Sequence, residues 1–192
     1  MNGEIGARRA IGAAWAMLER MKAVLNDLHD PDTHRAATAA YLIAVFGRAT
    51  TMTLQTIRTY DPDHFNLWYA PKEDFMRDDP LLKFFNSLRN QFLHEGGVWH
   101  TGKHQLIGSR MADDDNGPWE WHFTNSPTQH DGEPIPSSPG VAMPGMALLI
   151  GPQPTVEVLA RLYLAFLERL WKEAWEEFMP LAPQAGEAPP TP

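Results

Sequence analysis

Proline placement constrains this chain more than any other feature of its sequence. Of 17 prolines, none lies in 1–30, 32–61, 81–117 or 155–179, whereas eight fall in 118–154 and five in 180–192. Proline has no backbone N–H to donate, and its ring collides with the preceding helical turn, so helix interiors reject it. The windows 1–30, 32–61 and 155–179, with the start of 81–117, are therefore predicted to be helical. The stretch 118–154 is predicted to hold strands and loops.

Apolar spacing supports each helix. Over 5–28, Ile11, Ala14, Leu18, Met21, Leu25 and Leu28 recur every three or four residues, and Trp15 widens the stripe. Over 33–59 the stripe is Ala36, Ala40, Ile43, Gly47, Thr50, Leu54 and Ile57, with Asp32 or Thr33 as cap. The short link at His29-Asp30-Pro31 makes these two an antiparallel pair. A third helix opens at Asp79-Pro80, a cap residue before proline at the first helical position. It presents Leu81, Leu82, Phe85, Leu88 and Phe92, and Gly96-Gly97 stop it. The fourth, about 155–179, has an apolar sector wider than one neighbour needs, including Tyr163, Phe166, Trp171 and Trp175. That width predicts a second contact surface, such as a partner subunit.

Between helices three and four the period changes. Trp119, Trp121 and Phe123 alternate with Glu120 and His122, which predicts a strand, and 99–107 supplies a partner. Residues 125–140 read as a loop, and 146–150 form a short apolar run. The expected fold is mainly α: an antiparallel four-helix bundle with a small β-hairpin and long-loop insertion between helices three and four. One domain of this kind spans 1–179, with the insertion at about 97–152. The Pro/Ala tail at 180–192 is expected to be disordered.

Composition excludes several chemistries. With 16 Lys+Arg against 24 Asp+Glu, the net charge is −8, which argues against DNA binding through a broad basic face. A small local phosphate site remains compatible with it. The absence of cysteine removes disulfides, thiolate catalysis and Cys-based metal centres. Arg8-Arg9 and the apolar run 10–18 make a poor signal peptide, because Glu19, Arg20 and Lys22 follow at once. No apolar stretch approaches the roughly 20 residues that span a bilayer. A cytoplasmic protein with no membrane partner is expected.

Several site motifs fail on inspection. Residues 102–104 lack the spacing of a phosphate loop, and His94-Glu95 is not followed by a second histidine at Val98. His100 and His104 stand four apart, but no carboxylate completes a metal set, so ordinary loop histidines are expected. The run Asp113–Asp115 before Asn-Gly reads as a solvated turn. The Trp119/Trp121/Phe123 stripe reads as a hairpin face packed on the helices, since little Lys or Arg accompanies it. No metal and no cofactor are expected.

The remaining constellation is Arg89-Asn90-Gln91-Phe92-Leu93-His94, in the last turns of the third helix. Arginine offers a planar, permanently charged fork for phosphate. Histidine exchanges a proton near neutral pH. Together they suffice for metal-free RNA cleavage. His94 would move the proton of the ribose 2′-OH or protonate the leaving 5′-oxygen. Arg89 would stabilise the charge that develops at phosphorus. Asn90 would bind phosphate or orient a partner.

This stretch resembles the HEPN superfamily, whose members share a small antiparallel helical bundle and often an Arg-x(4–6)-His motif near a helix end. The residue after the arginine there is often Asn, Asp or His, and Asn90 fits. The toxin branch carries a tyrosine two residues after the histidine, where Gly96 stands here. The resemblance implies a homodimeric, metal-independent endoribonuclease acting on RNA, with Arg89 and His94 catalytic and Asn90 supporting. One geometric condition attaches. Residues five apart on an ideal helix point about 140° from each other. Arg89 and His94 therefore meet only where the helix ends or distorts at His94, or where a dimer mate supplies half of the site. Otherwise Arg89 is expected to pair with a carboxylate of a neighbouring helix, and His94 to cap its own helix. The rival function is a non-catalytic dimeric binding module that recognises a protein or nucleotide; the net charge and Gly96 favour it.

Overall fold

The computed structural model describes residues 2–95, 104, 106–109, 119–137 and 153–179. The chain is mainly helical with small antiparallel sheets. Helix α1 spans Asn2–Val24 and tightens into a 3₁₀ turn at Leu25–His29. Helix α2 spans Thr33–Gln55 and tightens likewise at Thr56–Thr59. The apolar spacing alone predicts both as uniform helices. The stripes drawn from spacing are buried throughout, from Ile11 to Leu28 and from Ala36 to Ile57. Asp32 caps α2, its Oδ1 accepting the His34 N–H at 2.8 Å.

A helix absent from the sequence reading follows. Helix α3 spans Pro62–Asp78 and contains Pro71. Proline in a helix interior costs about 3 kcal/mol, partly because the carbonyl four residues earlier loses its donor. Here that carbonyl belongs to Leu67, which is 80% exposed. Pro71 is itself exposed, so water can take the lost bond. Among the described residues the chain thus builds five α-helices where proline avoidance predicted four.

Helix α4 spans Pro80–Glu95, opening at the predicted cap. Strands β1 (Leu106–Ser109) and β2 (Glu120–Phe123) pair antiparallel, with Gly108 opposite Trp121. A Cβ at Gly108 would collide with the Trp121 ring. Trp121 and Phe123 are buried, and Trp121 Nε1 donates to the Asp30 carbonyl at 3.3 Å, so this face packs on the helices. His122 is buried as well, while Glu120 on the same face of the strand stays half-buried.

Residues 125–137 are more ordered than a loop. Strands β3 (Gln129–His130) and β4 (Glu133–Pro134) form a second hairpin. Its turn, Asp131-Gly132, has φ of 53° and 78°, the left-handed pair that a tight hairpin requires. Helix α5 spans Val156–Phe178, with Thr155 Oγ1 capping the Val158 N–H at 3.2 Å. The run 146–150, the Asp113–Asp115 turn, Gly96-Gly97 and the tail 180–192 lie outside the described residues.

The helices pack around α2 and α5. Helix α1 runs antiparallel to α5, tied by Lys22–Glu168 at 2.8 Å and by Trp171 Nε1 donating to the Ile11 carbonyl. On the other side lie α3 and α4. The wide apolar sector of α5 is covered from within the chain: Phe75 stacks on Phe166, and Phe65 and Trp68 meet Phe178. Leu162 and Trp175 of the same sector stay half-buried. No helix among the described residues is long and apolar enough to cross a membrane.

Candidate functional site

The Arg89–His94 motif lies on one unbroken helix. Helix α4 stays helical through Glu95, so the condition for convergence within one chain is not met. At the ideal helical pitch, residues five apart point about 140° from each other. Arg89 is half-buried, and its Nε donates to Asn90 Oδ1 at 3.2 Å, with a second, shorter bond from a terminal nitrogen. Asn90 thus holds the guanidinium of its own neighbour. The expected carboxylate partner is missing: Arg89 forms no ion pair among the described residues. His94 is exposed and makes no hydrogen bond among them, so the expected capping role is not seen either.

Arg89 instead turns toward α5. Leu82, Phe85, Asn86 and Arg89 share a sector of α4, as residues three and four apart do. The Phe85 ring stacks on Tyr163 with centroids 4.3 Å apart. Burial pushes the Tyr163 hydroxyl far above its ordinary pKa, and the charges of Arg48 and Arg89 oppose that rise. Both arginines are therefore electrostatic neighbours of one phenol.

His104 is buried, unlike an ordinary polar loop histidine. It is 3% exposed and packs edge-on against Phe84 and Phe123. Its Nδ1 lies 2.7 Å from Asn125 Oδ1 and its Nε2 lies 2.9 Å from Ser87 Oγ. A neutral ring with the proton on Nδ1 satisfies both, donating to the amide and accepting from the hydroxyl. Gln91 Oε1 accepts the His104 backbone N–H at 2.9 Å. Both ring nitrogens are engaged, so this histidine could ligate a metal only by giving up a core hydrogen bond. His100 lies outside the described residues.

A cavity of about 390 Å³ opens where α2, α3, α4 and α5 meet. Arg48 and Thr51 line it from α2, Tyr69 and Glu73 from α3, Lys83 and Asn86 from α4, and Tyr163 from α5. Phe85, Phe166 and Met76 supply apolar wall. Arg77 and Lys83 at this cavity have carboxylate neighbours, Asp74 at 3.0 Å and Asp78 at 3.8 Å, in exposed pairs of little net strength. Arg48 differs. It has no ion pair among the described residues, its Nε is buried without an acceptor, and one terminal nitrogen lies 3.5 Å from Thr51 Oγ1. Burial also raises the Tyr69 pKa, partly offset by the hydrogen bond from Gln55 Nε2 at 2.8 Å.

Sequence reasoning passed over Arg48, though a signal existed. It is the single charged residue between Ala36 and Ile57, beside the buried Gly47. No carboxylate stands three or four residues from it. A charge placed so, on an otherwise uncharged helix, faces either solvent or a site. Comparison with protein-family models, with curated proteins and with solved structures returns no match for this chain.

Proposed function

We propose that this chain is a non-catalytic binding module, whose small ligand enters the cavity between α2, α3, α4 and α5. The observation that carries this reading is Arg48: a guanidinium without a carboxylate partner among the described residues, at a cavity of ligand size. A half-buried charge with no counter-charge among the described residues, at the wall of a cavity, is a functional candidate. The test is incubation of the purified chain and of His94→Ala with RNA. Neither is expected to cleave. Cleavage lost in His94→Ala would overturn the binding reading.

The metal-independent endoribonuclease remains the second reading, favoured by one observation: His94 is exposed at the end of α4, and Arg89 on the same helix forms no ion pair among the described residues. Because the two diverge within a chain, this reading requires a homodimer in which His94 of one protomer meets Arg89 of the other across a bound RNA. It predicts a dimer in light scattering and cleavage that mixed Arg89→Ala and His94→Ala protomers partly restore.

A further inference from the structure

We infer that the cavity takes a phosphomonoester: a terminal phosphate carried on a small apolar or ring-bearing body. This rests on the binding-module reading and names its ligand.

The lining is rich in donors. Arg48 lines the cavity with a planar, permanently charged guanidinium that forms no ion pair among the described residues. The Tyr69 oxygen already accepts from Gln55, so its own proton is left to donate. Tyr163 adds a second phenol. Burial holds both phenols protonated, so they stay donors at any physiological pH. Asn86 adds an amide.

These donors come from four different helices, so they surround a guest instead of lying in one plane. A planar carboxylate accepts within its plane, whereas a phosphate accepts through three oxygens on several sides. The phosphate of a monoester also carries about −1.5 to −2 at neutral pH, which suits Arg48 with Lys83 and Arg77 at the same cavity. Glu73 opposes them and limits the total charge the cavity accepts. The volume exceeds what inorganic phosphate fills, and Phe85, Phe166, Met76 and Leu82 give the remainder an apolar wall.

The experiment is calorimetric titration of the full chain with phenyl phosphate, adenosine 5′-monophosphate, inorganic phosphate and benzoate. The two phosphomonoesters are expected to bind, with benzoate and inorganic phosphate weaker by about tenfold or more. Arg48→Met is expected to lose phenyl phosphate affinity by about tenfold or more, consistent with loss of a charge-assisted hydrogen bond. Should Arg48→Met not fold, Tyr69→Phe, which removes one hydroxyl, is expected to weaken the same binding severalfold. Benzoate binding as well as phenyl phosphate would overturn the proposal. So would no binding by either monoester, or unchanged affinity in the folded Arg48 variant (or, where that does not fold, in Tyr69→Phe). Absent phosphate binding without RNA cleavage removes the ligand assignment alone. RNA cleavage that depends on His94 removes the module reading beneath it.

Discussion

Arg48→Met should make the ligand-free protein more stable, although it deletes a charged side chain from the middle of a helix. The buried Nε has no acceptor among the described residues. A buried donor left unsatisfied costs about 1–3 kcal/mol. The bond from the terminal nitrogen to Thr51 Oγ1, at 3.5 Å, is long. It returns at most about 0.5 kcal/mol of that cost. Methionine keeps the unbranched stem and matches arginine in helix propensity. The net expectation is a gain of about 1–2 kcal/mol. For a chain of this size, that raises Tm by roughly 2–8 °C in scanning calorimetry. Saturating phenyl phosphate should then cancel most of that difference. At a hundredfold excess over Kd, a ligand that binds only the folded state contributes about 2.7 kcal/mol. A variant that binds tenfold more weakly receives only about 1.4 kcal/mol at the same concentration, so the wild type regains about 1.3 kcal/mol. A lower Tm for ligand-free Arg48→Met would refute the reasoning, because it would mean that the guanidinium already finds compensation within the chain.

Other perturbations test the packing and the charges. Gly47→Ala places a Cβ into the Tyr163 ring, which is itself stacked on Phe85. Overpacking should outweigh the gain in helix propensity and destabilise the fold by about 1–3 kcal/mol in urea titration. Asp79→Ala removes the acceptor of the Leu82 N–H, the Asp131 N–H and His130 Nδ1 at once. A loss of about 2–4 kcal/mol is expected, more than an ordinary cap contributes. His64 has its pKa raised first by its hydrogen bond to Glu177, and then by Asp61. A raised folded value means that the protonated ring favours the fold. That contribution is complete below the unfolded value of 6.5 and is lost as pH rises through the folded one. In Glu177→Gln the His64 midpoint should move down in an NMR titration; an unmoved midpoint would discount the contact.

The apolar spacing of α1, α2, α4 and α5 was enough to place them, because each buries a stripe against neighbours and only a helix gives that period. Helix α3 was hidden by Pro71, since avoidance of proline is a rule about buried or hydrogen-bonded interiors and Pro71 faces water. The Asp131-Gly132 dipeptide carried the signal of a tight hairpin, but flanking strands of two residues each are too short to alternate. His122 shows the converse: it stands on the polar face of β2, yet tertiary packing buries it. At the candidate site, the sequence displayed the Arg89–His94 spacing and could not show whether the helix breaks between them. The cavity draws on four helices separated by more than a hundred residues of chain, from Arg48 to Tyr163. No local pattern encodes such a meeting, and only the isolation of Arg48 among uncharged neighbours hinted at it.

The Asp79 carboxylate joins pieces of chain that are made at different times. Its Oδ1 closes the first turn of α4, while its Oδ2 holds the turn of a hairpin some fifty residues downstream. During synthesis α4 emerges long before that hairpin, so half of the carboxylate must at first be satisfied by water. The second half is completed only when 129–134 arrives and buries it. The start of α4 is therefore set late, and Leu82 and Asp131 should share one opening event in native-state hydrogen exchange even though they are far apart in sequence.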